Sequence, residues 1–231
     1  MKILVTGSSG RFAKVLKNIK TKYDFIYTTK KNLDITSLKS IKNSLKKNKP
    51  KYVIHLAGLS RPMNVHNKRI KHSIDLNIIG TCNLVKICSD LRIKIIYFST
   101  SYVYPGRKGN YKEDDPVLPW NNYGWSKLGA ESAVQMYKNS LIIRACMTEK
   151  PFIHKEAFTN VKCNFIFHDE FIKILLKVIN FKGVINIGGK SQTIYQFAKK
   201  YKKNVKKKKS KGELPAKIYM SLAKVNNLLK K

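Results

Sequence analysis

Short runs of β-branched and apolar residues alternate along the chain with longer segments whose apolar positions recur at helical spacing. The short runs predict strands at 2–6, 24–28, 52–56, 94–99, 140–145 and 183–187. The longer segments predict helices at 11–20, 36–48, 72–90, 123–138, 169–180 and 193–203. Because strands alternate with helices and are apolar throughout, the pattern predicts an α/β fold with a doubly wound parallel sheet.

The ends of these predicted strands carry small and hydroxyl-bearing residues. Gly7, the pair Ala57–Gly58 and the pair Ser99–Thr100 each fall at or just past a strand end. Ligands of doubly wound sheets bind at the carboxyl ends of the strands. We therefore expect a bound dinucleotide and a substrate to meet along this edge.

The first strand runs directly into a glycine turn, Gly7-Ser-Ser-Gly-Arg-Phe-Ala13, and then into a helical pattern. Glycines in such a turn let the backbone approach a pyrophosphate, which lies at the positive N-terminus of the helix. Ala13 takes the third small position, where the helix packs closely on the sheet. A glycine turn alone is weak evidence, but its place after an N-terminal strand favours a dinucleotide site.

The end of the second strand indicates which dinucleotide binds. NAD-specific sites place a carboxylate there for the ribose 2′-hydroxyl, whereas this chain has Thr29-Lys30-Lys31. Lys30 and Lys31, helped by Arg11, could pair with a 2′-phosphate. We therefore predict NADP (as NADPH) as the cofactor, with NAD as the alternative.

Composition narrows the class of protein. The 231 residues suffice for a full core, and no apolar run approaches the roughly 20 residues of a membrane span. The chain enters a strand at once, so we expect no signal peptide, no membrane and a cytoplasmic location. Four cysteines and five histidines lack metal-ligand spacing, which predicts reduced thiols and no metal site.

The formal net charge of +34 is extreme for this length. Taken alone it favours a nucleic-acid or other anionic partner. However, lysine is spread over the whole chain and no nucleic-acid recognition motif is present, so we expect no specific nucleic-acid binding. The densest run, within 199–211, reads as a flexible basic surface segment.

Tyr123 and Lys127 are the strongest chemical signal. Four residues apart on a predicted helix, they share one face. A nearby ammonium lowers the pKa of a phenol, which is ordinarily about 10. With a hydroxyl from a second segment, such as Thr100 or the neighbouring Ser101, the pair can exchange a proton with a carbonyl or alcohol.

These features together resemble the extended short-chain dehydrogenase/reductase family over roughly residues 1–145. Six motifs occur in the family's order. They are Gly7-x-x-Gly10-x-x-Ala13, Asp34-Ile35, His55-Leu-Ala-Gly58, Asn77, Ser99-Thr-Ser-Tyr-Val-Tyr104 and Tyr123-x-x-x-Lys127.

The resemblance implies a role for each matched residue. Tyr123 would be the acid/base, Thr100 would polarise the substrate oxygen, and Lys127 would bind the nicotinamide ribose and lower the tyrosine pKa. Asn77 would support the geometry of the active-site helix. The cofactor-binding set it implies is Gly7, Ser9, Gly10, Arg11, Phe12, Lys30, Asp34, Ile35, Ala57, Gly58, Asn77, Tyr123 and Lys127.

The resemblance further implies a Rossmann-type nucleotide-binding domain at 1–145 and a reduced substrate-binding lobe at 146–231. Phe98-Ser-Thr-Ser-Tyr-Val-Tyr-Pro-Gly106 is most similar to the dTDP-4-dehydrorhamnose reductase group. Ser101-Tyr102 stand where sugar-nucleotide dehydratases place an Asp-Glu pair, which disfavours dehydration.

The function expected is therefore NADP-dependent reduction of a keto group on a nucleotide-linked sugar of the 4-keto-6-deoxy type. One alternative is an NAD-dependent sugar-nucleotide epimerase, which shares the catalytic trio. A second is a non-catalytic dinucleotide-sensing or nucleic-acid-binding protein, motivated by the charge. The partner expected is a nucleotide-sugar substrate, and a homodimer is a possible assembly.

Two interpretations are open for the three residues before Tyr123, which are Trp120, Asn121 and Asn122. Either they line the sugar pocket, or they form the loop and cap of the following helix.

Overall fold

A computed structural model describes residues 1–230 of the chain. Six strands form the main sheet. They are β1 (Lys2–Thr6), β2 (Asp24–Tyr27), β3 (Tyr52–His55), β4 (Lys94–Thr100), β5 (Ser140–Ala145) and β10 (Gly183–Ile187). Their order in the sheet is β10-β5-β4-β3-β1-β2. β1 pairs in parallel with β2 and β3, and β3 pairs in parallel with β4. The predicted Rossmann-type α/β fold is thus confirmed.

Helices connect the strands, as the apolar periodicity predicted. The main helices are α1 (Arg11–Lys17), α2 (Leu38–Asn48), α5 (Gly80–Asp90), α6 (Asn122–Met136), α7 (His168–Val178) and α8 (Ile194–Tyr201). The shorter ones are α3 (Val65–Lys68), α4 (Ile70–Ser73) and α9 (Ala223–Leu229). Thr193 and Gln196 form the reciprocal capping box that their spacing predicts at the start of α8.

One predicted helix is interrupted. The sequence predicts a continuous helix over 72–90, but a π-helical segment, Ile74–Ile79, lies between α4 and α5. Gly80 follows it, where a Cβ would lie 2.7 Å from the Cδ1 atom of Ile35. The wider turn and the glycine together let this part of the helix approach the loop that contains Ile35, a requirement that hydrophobic spacing does not reveal.

The chain divides into two compact units. The first contains residues 1–99, 121–143 and 181–184, and the second contains 100–120, 144–180 and the described chain from 185 onward. The predicted domain limit at residue 145 remains a prediction. The first unit has an apolar core that includes Leu4, Val53, Ile95 and Ile142, all fully buried.

The second unit contains short strands that join in pairs. They are β6 (Met147–Thr148) with β9 (Ile166–Phe167), β7 (Glu156–Phe158) with β12 (Lys206–Lys208), and β8 (Lys162–Cys163) with β11 (Gln192–Thr193). β12 lies within the segment expected to be flexible, and the backbone of β7 pairs with its three lysines in parallel. The flexibility of 199–211 remains a prediction. Their side chains remain exposed. No helix within residues 1–230 has the length and apolarity needed to cross a bilayer.

Candidate active site

The loop between β1 and α1 is shaped by two glycines. Gly7 adopts a φ of 67°, and a Cβ there would lie 2.6 Å from the backbone nitrogen of Ala57. The N–H of Gly10 donates to the carbonyl of Gly7 at 3.0 Å, which closes the turn before α1. Ser9, Gly10 and Arg11 are exposed. The loop is therefore accessible at these three residues, and the phosphate site expected at this turn stays a prediction.

Phe12 is buried, unlike the three exposed residues that precede it. Its ring is buried and meets Phe98 edge-on, with ring centroids 5.0 Å apart. The side chain thus belongs to the core, so a cofactor contact at this position would rest with the backbone of Phe12.

The loop after β2 holds the residues predicted to distinguish NADP from NAD. The side chain of Lys30 is 79% exposed, and its Nζ lies 3.9 Å from Asp34 Oδ2. Asp34 Oδ1 accepts from the backbone N–H and the hydroxyl of Thr36, and these bonds help to lower the pKa of the carboxyl. Lys31 is exposed as well. Two lysines therefore face solvent at this loop, while Asp34 is engaged in holding its own turn.

A buried chain of hydrogen bonds joins β1, β3 and α5. Thr6 Oγ1 accepts from the backbone N–H groups of residues 56 and 57, so its own proton can go to His55 Nδ1 at 2.9 Å. His55 Nε2 then donates to Thr81 Oγ1 at 3.0 Å, and Thr81 donates to the carbonyl of Asn77 at 2.7 Å. Burial lowers the pKa of His55 to about 3, which agrees with this neutral tautomer. The chain of bonds fixes the loop after β3, where Ala57 lies.

Asn77, within the π-helical segment, links that loop to α6. Its Oδ1 accepts from Leu59 N–H at 2.6 Å, and its Nδ2 donates to the carbonyl of Leu59 and to Ser126 Oγ, both at 2.9 Å. Ser126 Oγ donates to the carbonyl of Tyr123 at 2.8 Å. A Cβ at Gly58 would lie 2.9 Å from Asn77 Oδ1, so glycine permits this approach. Asn77 thus holds both the loop and the turn of α6 that carries Tyr123.

Tyr123 occupies the first turn of α6. The side chain of Asn121 caps this helix by accepting from Gly124 N–H at 2.8 Å, which is the cap interpretation of the loop before Tyr123. The ring of His66 on α3 lies 5.1 Å from the Tyr123 ring, centroid to centroid. Asn122 Nδ2 donates to the carbonyl of His66 at 3.4 Å. The capped helix start and α3 together fix the position of the tyrosine ring.

Lys127 lies one turn further along α6, over an aromatic face. Its Nζ is 4.2 Å from the centroid of the Tyr97 ring, and Tyr97 Oη donates to the carbonyl of Lys127 at 3.1 Å. Burial lowers the pKa of Lys127 to about 7, while the Glu131 carboxylate acts in the opposite direction. Burial raises the pKa of Tyr97 well above its usual value, with smaller contributions from Glu131 and Tyr123. Near pH 7 the Tyr97 side chain is therefore neutral, and the lysine over its ring is protonated in only part of the molecules.

Thr100 is the last residue of β4 and belongs to the second compact unit. It is buried, and its Oγ1 accepts from Tyr102 N–H at 3.3 Å. Ser101, the alternative reactive hydroxyl, is buried and hydrogen-bonds the thiol of Cys146. In the same unit the ring of Trp120 packs on Tyr102 at 4.9 Å between centroids, and its buried Nε1 has no hydrogen-bond partner among the described residues.

Several residues around the site had no assigned role in the sequence analysis. Tyr97 packs against Lys127, Ser126 bonds Asn77, and Thr81 bonds both His55 and the carbonyl of Asn77. The carboxylate of Glu131 acts electrostatically on Lys127. Helical spacing could have pointed to Glu131, which follows Lys127 by four residues. All four cysteines are free thiols, and residues 1–230 include no group of three or more His, Cys, Asp or Glu side chains that could hold a metal ion.

Comparisons with known proteins show what this chain is similar to. GDP-6-deoxy-D-talose 4-dehydrogenase of Aggregatibacter actinomycetemcomitans is 32% identical over 160 residues, which cover 66% of this chain and 52% of that protein. Methionine adenosyltransferase 2 subunit beta of Xenopus laevis is 33% identical over 102 residues, covering 44% and 30%. The chain thus spans about half, or less, of the length of the curated relatives it matches.

Among solved structures, dTDP-4-dehydrorhamnose reductase of Bacillus anthracis, in complex with NADP, superposes with a TM-score of 0.87. The two share 21% identity, and the match covers 98% of this chain and 91% of that one, so it shows a common fold. The family model described as the RmlD substrate binding domain matches residues 1–148, well over half of the sequence. The chain therefore belongs to the RmlD substrate binding domain family.

Proposed function

We propose that this chain is an NADP-dependent reductase of a keto group on a nucleotide-linked sugar. The observation that carries the proposal is the pair formed by Tyr123 and Lys127 on one face of α6. The lysine ammonium is buried over Tyr97, and the tyrosine is held by Asn77 through Ser126. A phenol and a cation so placed are suited to give a proton to a carbonyl oxygen as it gains negative charge.

The residues of the chain supply binding and proton transfer. When bound, NADPH would supply the hydride for the carbonyl carbon. Tyr123 would donate its phenolic proton to the carbonyl oxygen, and the charge of Lys127 would stabilise the phenolate left behind. For Thr100 we keep, as a proposal, the role of polarising the substrate oxygen. A proton from solvent would then restore Tyr123.

The first compact unit fits a dinucleotide. The turn at Gly7 leaves no space for a side chain against Ala57, and the exposed backbone at Ser9 and Gly10 can approach a pyrophosphate. We favour NADP over NAD because Lys30 and Lys31 face solvent at the end of β2, and because one similar structure is a complex with NADP. We place cofactor binding within 1–145 and substrate selection within 146–231.

A sugar nucleotide is favoured as substrate by the names of related proteins. One relative is a GDP-6-deoxy-D-talose 4-dehydrogenase and one similar structure is a dTDP-4-dehydrorhamnose reductase. Both names describe oxidoreductases acting on deoxy sugars. We therefore propose that the substrate is a 4-keto-6-deoxy sugar joined to a nucleoside diphosphate. We propose this reaction for the chain of 231 residues.

The test is turnover by the purified chain on a panel of keto-sugar nucleotides, followed by NADPH absorbance and product analysis. We expect NADPH oxidation with the wild type, and a loss of about two to four orders of magnitude in kcat for Tyr123→Phe with little change in NADPH affinity. Near-normal turnover by Tyr123→Phe would refute the assigned chemistry. Interconversion of sugar epimers without net NADPH oxidation would instead indicate an epimerase, and cofactor binding without any turnover would indicate a non-catalytic subunit.

A further inference from the structure

Glu131 is a buried carboxylate that the proposed reaction does not use directly. It lies on α6 four residues after Lys127, and it is only 4% exposed. Ser99 Oγ on β4 donates to its Oε2 at 2.5 Å. Taking a carboxylate out of water is costly unless it is hydrogen-bonded or paired with a cation. This buried carboxylate lies about one helical turn from Lys127, the predicted catalytic lysine.

Burial also disfavours the charged form of Lys127. Its Nζ lies against the face of Tyr97, and burial of the ammonium favours the neutral amine. A neutral amine at this position could neither lower the pKa of Tyr123 nor stabilise its phenolate. The residue can act as proposed only if a nearby negative charge keeps the proton on Nζ.

Titratable groups from each neighbouring element lie near Lys127. They include Tyr97 from β4, His55 from β3, His66 from α3 and Tyr123 from α6 itself. Burial lowers the pKa of His55 to about 3 and also lowers the pKa of His66, while it raises that of Tyr97. Near pH 7 these three side chains are neutral, and the charge that opposes the effect of burial on Lys127 is that of Glu131.

We propose that Glu131 is a positioning residue whose carboxylate, anchored by Ser99, keeps Lys127 protonated and so preserves the cation on which Tyr123 depends. The catalytic consequence of this inference rests on the proposed function. The effect on the lysine itself does not, because it is a property of the unliganded protein. The hydroxyl of Ser99 fixes the carboxylate on the β4 side of α6, toward Tyr97 and the lysine that covers it.

The first test measures the protonation of Lys127 without any substrate. Trace acetic anhydride acetylates neutral amines, so competitive labelling across pH 5 to 11, read by peptide mass spectrometry, gives a half-point for each lysine. We expect a half-point near pH 7 for Lys127 in the wild type, and one lower by at least about one pH unit in Glu131→Gln. An unchanged half-point in Glu131→Gln would overturn the proposal.

Two further variants complete this experiment. Glu170→Gln removes a carboxylate from an exposed position on α7 and should leave the Lys127 half-point unchanged. Glu131→Asp keeps the charge but retracts it by one methylene, so its half-point should lie between those of the wild type and Glu131→Gln. If Glu131→Gln does not fold, as judged by circular dichroism, Glu131→Met removes the same charge without burying an amide, and a wild-type half-point in that variant overturns the proposal.

The second test reads the consequence for turnover. Since Lys127 must be charged to act, a lower lysine pKa should move the alkaline limb of the kcat/KM profile toward acid. Glu131→Gln should be close to wild type near pH 5 and about tenfold slower near pH 8. An equal loss at every pH would show a merely structural role and overturn the proposal. A shifted labelling half-point in a chain that reduces no keto sugar would support the role of Glu131 while refuting the proposed reaction.

Discussion

The buried ammonium of Lys127 makes a quantitative prediction about stability. Replacing it with methionine keeps an unbranched apolar stem and removes the charge. The lysine pKa falls from 10.5 to about 7 on folding, and at about 1.4 kcal/mol for each pH unit this corresponds to a cost of about 5 kcal/mol. Because the residue keeps some contact with water and the cation gains from the Tyr97 ring, we expect Lys127→Met to stabilise the unliganded protein by about 3 kcal/mol at pH 7.

The lysine pKa values of the folded and unfolded chain determine how the stabilisation by Lys127→Met depends on pH. Between pH 7 and 10.5 the unfolded chain holds the lysine proton more often than the folded protein does, so wild-type stability rises with pH in this window. The advantage of Lys127→Met should therefore be fully present below pH 7 and disappear toward pH 10.5. Urea unfolding at pH 7 and pH 10, followed by circular dichroism, measures both values.

A matched control separates this effect from the general charge of the protein. Lys86→Met also removes one charge from a helix, but at an exposed position of α5. We expect it to change the free energy of unfolding by less than about 0.5 kcal/mol at pH 7. A Lys127→Met variant that is no more stable than wild type at pH 7, or whose advantage is the same at both pH values, would refute the reasoning.

Three other changes test separate parts of the proposal. NADPH should bind more tightly than NADH in a fluorescence titration, and joint replacement of Lys30 and Lys31 by alanine should remove the preference; equal wild-type affinities would contradict the assignment. Gly7→Ala should cost more stability in urea unfolding than Gly212→Ala, because both positions have positive φ but only at Gly7 does a Cβ meet backbone; equal losses would show that contact to be unimportant. Trp120→Ala should raise the Michaelis constant for a 4-keto-6-deoxy sugar nucleotide with NADPH affinity unchanged, and an unaltered constant would exclude the tryptophan from the sugar pocket.

Local pattern predicted most of the sheet. The bounds of β1, β5 and β10 agree with the apolar runs at 2–6, 140–145 and 183–187, because a buried strand leaves a continuous apolar signal. The strands of two or three residues in the second unit were not predicted. Segments this short show no periodicity, and pairings such as β7 with β12 join residues about 50 positions apart.

The candidate site likewise combines a feature that the sequence predicted with contacts that it did not. Tyr123 and Lys127 lie four residues apart on one helix, so the sequence was sufficient to predict that they share a helix face. The ring beneath the lysine and the bond from Ser99 to Glu131 depend on how α6 packs on β4. Those contacts join residues about 30 positions apart, and only the folded structure reveals them.

The π-helical segment gives this chain a place where its length can change. Its residues turn more slowly about the axis than α-helical residues do, so the six residues within 74–79 turn the chain through about the same angle as five α-helical residues. Deleting one of them would let the segment relax to an α-helix while the flanking turns keep their orientation about the axis. Thr81 could then still reach His55, and an asparagine kept in register could still reach Ser126. Related chains should therefore tolerate the loss of one residue here more readily than in the α-helical turns on either side, where a deletion rotates the rest of the helix by about 100°.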